Sequence, residues 1–291
     1  MKMKPFEVPY NFDMDMINFY KQNANHVRFL FLPPYKEDSI NTRTIIQSDT
    51  ALDGMCYMPT SRMEYEKHLR AIKAASLEFV VLWQTSKTLT EDFLDYYISL
   101  GACGFIVATD ENARIIKNYD SQLIVVCSIV QRLLKDISKK DFVNYDYVVL
   151  YYPFNRSLNV FEKLKALKEK LVIMPNTVCP TECPAMHHWF PTKENPFDER
   201  NCMVIKRMDR SSYIFPEHLY LFDEYVSGYK LQGREFPTEM LKHFCEDYFT
   251  RKSGDIATMS QEYMNILRAD INRMGIMPYY NVKTPEIIDI I

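Results

Sequence analysis

Short apolar, β-branched or aromatic runs recur along the chain, and stretches with apolar residues at three- and four-residue spacing lie between them. The runs are Val27–Leu32, Arg43–Gln47 (the weakest), Glu78–Trp83, Gly104–Ala108, Gln122–Cys127, Tyr145–Tyr151, Leu171–Met174 and Gly228–Leu231. The helical stretches are Ser61–Ala75, Thr90–Leu100, Asp110–Asn118, Val130–Ser138, Ser157–Lys170 and Pro237–Arg251. In the fifth, Leu158, Phe161, Leu164, Ala166 and Leu167 make the apolar stripe. Thr90 and Asp110 stand where N-caps belong.

Strands that are apolar throughout, alternating with helices, predict a parallel sheet buried on both faces. About eight of them in one chain predict a closed (β/α)8 barrel of the TIM type rather than an open sheet. No linker rich in Gly, Ser or Pro stands in the middle of the chain, and no internal repeat is present. The expected organisation is a single barrel domain over 1–291, with an N-terminal extension over about 1–25 and a C-terminal helical tail over about 255–291 containing a helix near Thr258–Met274. In such a barrel the site lies at the carboxyl ends of the strands. Those ends carry Gln84, Thr85, Thr109, Asp110, Ser128, Tyr152, Asn155, Asn176, Gln232 and Arg234. They hold no obvious acid–base pair of carboxylates, which disfavours glycoside hydrolysis.

Composition narrows the chemistry. Apolar residues make up 47% and charged residues 25% of the 291, the balance of a globular chain. No apolar run approaches the ~20 residues of a membrane helix, and Met1–Asp15 lacks the apolar core of a signal peptide. No membrane insertion and a cytoplasmic location are therefore expected. The net charge of −3 argues against non-specific phosphate binding, although Arg200, Lys206, Arg207 and Arg210 form a local basic cluster. The seven glycines make no G-x-G-x-x-G, Walker loop or G-x-S-x-G elbow; Gly101 and Gly104 form only a bare GxxG before a strand. H-E-x-x-H is absent as well.

Seven cysteines, an odd number, point to a reducing compartment rather than a disulfide framework. Cys56, Cys103 and Cys127 are isolated, and the last two read as small core residues. Cys179, Cys183 and Cys202 differ, because they follow the strand Leu171–Met174 in a proline-rich stretch that also holds His187 and His188. Three thiols at one strand end suit an iron–sulfur cluster, of the 4Fe-4S type, or alternatively zinc. Cys245, His187 and His188 are the candidate fourth ligands. A radical-SAM triplet would need a cysteine where Met186 stands, and it would follow the first strand rather than a late one.

The stretch Gln122–Arg234 resembles the peptidase U32 family, in particular its iron–sulfur members that hydroxylate without O2. QLIVVCSIV (Gln122–Val130) is similar to a family strand ending in serine, and YVVLYYPFNRSL (Tyr147–Leu158) to the next strand and turn. Cys179 and Cys183 lie where the family has its first two cluster cysteines, and Cys202 where it has the third. GYKLQGRE (Gly228–Glu235) is similar to the late K-I-E-G-R motif, with Lys230, Gly233 and Arg234 matching and Gln232 replacing the glutamate. The first cysteine pair is closer than in the family pattern, and the family's fourth cysteine is missing.

The resemblance implies an iron–sulfur oxidoreductase, an oxygen-independent hydroxylase acting on an RNA base, an aromatic isoprenoid or a small metabolite, with a homologous partner subunit as a further expectation. Lys230 and Arg234 read either as a strand-end salt bridge or cap, or as a clamp for a carboxylate or other anion. The alternative function is a non-catalytic partner subunit or binding module with a structural zinc or iron–sulfur site. A peptidase or a radical-SAM-like enzyme comes third.

Overall fold

Residues of alternate parity along each apolar run part to opposite sides of one wall, and that wall closes on itself. In this computed structural model, residues 3–35, 37–38, 58–85, 87–129, 142–155, 157–177, 212–234 and 236–253 are described. Eight strands pair in chain order, all parallel: β1 (Phe6–Pro9), β2 (Val27–Leu32), β3 (Phe79–Trp83), β4 (Gly104–Val107), β5 (Ile124–Cys127), β6 (Tyr147–Val149), β7 (Leu171–Ile173) and β8 (Gly228–Lys230). β8 returns to β1 with Phe6 opposite Tyr229 and Glu7 opposite Lys230. The expected (β/α)8 barrel is the fold.

Helices pack outside the wall: α1 (Met14–Gln22), α2 (Arg62–Ala74), α3 (Glu91–Ser99), α4 (Asp110–Tyr119), α5 (Leu158–Lys163) and α6 (Thr238–Thr250). Ser61, Thr90 and Thr109 cap α2, α3 and α4 by accepting from the backbone N–H groups of Glu64, Phe93 and Asn112. Each such cap contributes about 1 kcal/mol. The cap of α4 is thus Thr109, and Asp110 is the first helical residue; the hydroxyl reaches the third N–H while the acid favours the positive helix end.

Two apolar cores explain why the strands read as continuous. Phe29, Phe31, Val80, Leu82, Ile106, Val126, Val149, Val172 and Met174 fill the barrel interior. Their chain neighbours, among them Leu30, Val81, Phe105, Val125, Val148 and Ile173, join the shell between wall and helices. Trp83 marks the outward direction, its ring 4.5 Å from that of Phe93 on α3. Gly104 is required by close approach, since a Cβ there would lie 2.1 Å from the Ile124 carbonyl oxygen on β5.

Three features differ from expectation. The first barrel strand is Phe6–Pro9, inside the stretch read as an extension; its sequence FEVP holds a glutamate and a proline and makes no apolar run. α1 also falls in that stretch. The Ser157–Lys170 helix stops at Lys163 and continues as a 3-10 turn over Lys165–Leu167. Arg43–Gln47, Val130–Ser138 and the tail from 254 lie outside the described residues, and the barrel closes without them. No helix among the described residues is long and apolar enough to cross a membrane.

Candidate active site at the carboxyl end of the barrel

The inner face of the wall is apolar except at the seam where β8 meets β1. Glu7 and Lys230 are direct partners across that seam, and their neighbours Phe6, Val8, Tyr229 and Leu231 belong to the outer shell. Both charged side chains therefore point inward. Glu7 is 0% exposed and Lys230 7%.

A third charge joins them through a bulge. Phe6 faces Val27 but Glu7 faces Phe29, so Arg28 is an extra residue in β2. Val27 packs on the outer shell while Phe29 fills the interior, and Arg28 between them turns inward. Its Nη1 donates to Glu7 Oε1 at 3.2 Å, its Nη2 donates to the Ser227 carbonyl at 2.6 Å, and its Cζ lies 4.0 Å from the centre of the Tyr147 ring. Gly228 makes the room: a Cβ there would stand 2.7 Å from Arg28 Nη2. On β8, then, the first inward position admits Arg28 and the next carries Lys230.

Lys230 occupies the carboxyl end of β8. Its Nζ lies 3.6 Å from Glu7 Oε2 and 3.7 Å from the centre of the Phe31 ring. At 3.6 Å the pair is an ionic contact and not a hydrogen bond. Neither Lys230 Nζ nor Glu7 Oε2 has a hydrogen-bond partner. Burial pushes the Lys230 amine down to about 8; Glu7 opposes that shift and the Arg234 charge adds to it.

The rim above is polar and in register with the inner face. Gln84 and Ser128 extend the inward rows of β3 and β5, and Gln84 Nε2 donates to Ser128 Oγ at 2.9 Å. Asn176 and Gln232 clasp the ends of β7 and β8 with three hydrogen bonds: Asn176 Nδ2 to the Gln232 carbonyl, and Gln232 N and Nε2 to Asn176 Oδ1 and its carbonyl. Asn155 Nδ2 donates to the Met174 carbonyl at 2.6 Å. Gln84 Oε1, Asn155 Oδ1 and Thr177 Oγ1 are buried here without a partner. Such groups are costly unless something satisfies them. Arg234 follows Gly233, whose φ of +127° suits glycine.

Several expected rim residues serve structure instead. Thr109 caps α4, Asp110 Oδ1 accepts from Tyr145 OH at 2.6 Å, and Thr85 Oγ1 accepts from Lys87 N. Tyr152 opens a buried 3-10 turn.

Cys179, Cys183, Cys202, His187, His188 and the basic cluster Arg200–Arg210 lie outside the described residues. The two ends of that segment are placed. Thr177 and Ser212 are both buried, and Ile214 N donates to the Pro175 carbonyl at 2.8 Å. The chain thus leaves and re-enters the described fold beside the carboxyl end of β7.

Cys245 lies in the helical shell, 0% exposed on α6, with Tyr20 OH 3.7 Å from its Sγ. Burial pushes its thiol up to about 12. Cys127 is a buried core residue as expected; Cys103 is partly buried, its Sγ donates to the Phe79 carbonyl, and its thiol is pushed up to about 12 by burial. No group of three or more His, Cys, Asp or Glu side chains that could hold a metal ion stands together among the described residues.

No protein-family model and no curated protein matches the chain. Among solved structures it is similar to tryptophan synthase from M. tuberculosis, at 11% identity over 93% of each chain and a TM-score of 0.43. It is similar to a mutant tryptophan synthase alpha-subunit from Pyrococcus furiosus, at 13% identity over 94% of this chain and 98% of that one, with a TM-score of 0.43. It is also similar to the U32 peptidase Mk0906, at 13% identity over 80% of this chain and 94% of that one, with a TM-score of 0.43.

Proposed function

We propose that this chain is an enzyme acting at the carboxyl end of its barrel, a U32-like iron–sulfur oxidoreductase that hydroxylates a small anionic substrate without O2. The observation that carries the site is the Lys230 amine, buried at a strand end with no hydrogen-bond acceptor. A substrate oxygen supplies that acceptor. Glu7, itself held by Arg28, fixes the lysine from within the barrel, and Arg234 adds a second cation at the strand end.

The cluster part of the proposal is supported by donor chemistry and by the path of the chain. Cys179, Cys183 and Cys202 are soft ligands in one segment whose two ends meet at β7. Cys245 is left out of the ligand set because it is packed in the helical shell on α6 beside Tyr20, which leaves His187, His188 or an open position for the fourth ligand. A bound cluster supplies electron transfer; the chain's own residues bind the substrate, orient it and exclude water.

Anaerobic purification tests this. The expected result is a brown protein with iron and acid-labile sulfide in a ratio of about 1:1. Cys179→Ala, Cys183→Ala and Cys202→Ala each lower the cluster content, while Cys245→Ala leaves it intact. Zinc without sulfide moves the chain to the structural-site alternative. A metal-free protein removes the iron–sulfur reading.

A further inference from the structure

The interior of the barrel also holds the parts of a covalent site. An imine-forming lysine needs an amine that is neutral part of the time and a nearby base. Lys230 meets each requirement in place. It is on the inner face at the carboxyl end of β8, and its Nζ makes no hydrogen bond. One carboxylate oxygen, Glu7 Oε2, is 3.6 Å away and itself unengaged, while Arg28 holds the other oxygen. Phe31 closes one side of the amine with an apolar ring at 3.7 Å.

We infer that Lys230 forms an imine with a small carbonyl compound bearing a carboxylate, a 2-oxo acid in chemical class. Glu7 takes the proton from the ammonium. The freed Nζ lone pair then attacks the carbonyl carbon; a C–N bond forms, the C=O π bond breaks, and Glu7 returns its proton to the oxygen, giving a carbinolamine. Loss of that oxygen as water, with the second proton from Nζ leaving through Glu7, gives the C=N bond. The net change is ammonium plus carbonyl to protonated imine plus water, with no oxidant or reductant. The Arg234 charge, which reaches Nζ, makes this strand end favour an anionic substrate. The inference rests on the reading above only for placing substrate at this end of the barrel.

With Lys230 titrating near 8, about 10% of it is neutral at pH 7, against about 0.03% of a lysine at 10.5, an advantage of about 300-fold. The test uses the full chain, pyruvate as the probe and cyanoborohydride as the hydride donor that reduces the imine, at pH 7 for short times. Tryptic mapping of the wild-type chain is expected to find the adduct on Lys230 before any other lysine, with the rate rising through a midpoint near pH 8. Acetone, which lacks the carboxylate, is expected to label it more slowly. Lys230→Arg abolishes the early adduct and leaves the slow labelling elsewhere. Adducts spread over surface lysines with Lys230 unmodified overturn the inference, and that map needs no variant to fold. Iron and sulfide measured on the same preparation separate the two claims: a loaded cluster without Lys230 trapping sinks only this one.

Discussion

Replacing Lys230 by Met is expected to make the protein more stable at neutral pH, and the gain to vanish in alkali. The folded-state amine titrates near 8 against 10.5 for the free side chain, burial being the main cause. Below pH 8 both the folded and the unfolded chain hold the proton, and the fold bears the full cost of a buried ammonium. At about 1.4 kcal/mol per tenfold change in proton affinity, that cost is about 3 kcal/mol. Between pH 8 and 10.5 the folded chain gives up its proton first, so wild-type stability rises through that window. The Met side chain has no proton to lose. Nor does its introduction orphan Glu7, which keeps Arg28 as its partner. Urea unfolding of both proteins at pH 7 and pH 10, followed by far-UV circular dichroism, measures the gap at each pH. Tyrosine and cysteine titrations are common to the two chains and cancel in the difference. The gap is expected to move in favour of wild type by about 2–3 kcal/mol from pH 7 to pH 10. An equal gap at both pH values refutes the reasoning, because it means that Lys230 titrates alike in both states.

Two further predictions concern the frame of the site. Gly228→Ala places a methyl 2.7 Å from both Arg28 Nη2 and the Pro5 carbonyl oxygen. It should destabilise by about 1–3 kcal/mol, read as a lower Tm, because backbone cannot swing aside as a side-chain end can. Arg251→Ala removes a two-bond pair to Asp223, at 2.6 and 2.8 Å, that ties the end of α6 to Tyr229 of β8. Leaving Asp223 buried with only the Tyr229 hydroxyl should cost about 3–5 kcal/mol in urea unfolding, and Asp223→Asn in the same chain should recover part of it.

The barrel was legible because its wall is buried on both faces. In β3, FVVLW offers five apolar residues in a row, two inward and three outward, and no exposed strand has that pattern. β1 was not legible for the opposite reason. In FEVP only alternate residues reach the apolar shell, and the inward places are taken by Glu7 and Pro9, so no run exists to be seen. The site divides the same way. Gln84, Ser128 and Asn176 were found because each follows an apolar run at its carboxyl end, and Lys230 through the resemblance carried by GYKLQGRE. Glu7 and Arg28 were missed because their meeting depends on a bulge and on closure between the first and last strands, neither of which leaves a local mark. A signal was present: Arg28 interrupts VRFLFL, an otherwise apolar strand, and a charge inside such a strand needs a partner.

That partner was at the other end of the chain, and its position says something about why the site is at this seam. Each apolar residue sealed in the barrel contributes about 1.5–3 kcal/mol, whereas the three charges at the β8–β1 seam give up their water for a 3.2 Å hydrogen bond, a 3.6 Å ionic contact and one carbonyl. A hydrophobic substitute of similar volume is often at least as stable as a buried ion group. Stability alone therefore does not account for the arrangement. Its geometry is graded along the barrel axis: Arg28 beside Gly228 donates two hydrogen bonds, Glu7 accepts one through a single oxygen, and Lys230 at the carboxyl end makes none. The unmet hydrogen bond is thus carried to the carboxyl end of the barrel, the face at which barrels of this type build their sites. A triad serving only to close the barrel would give Lys230 hydrogen bonds as it does Arg28.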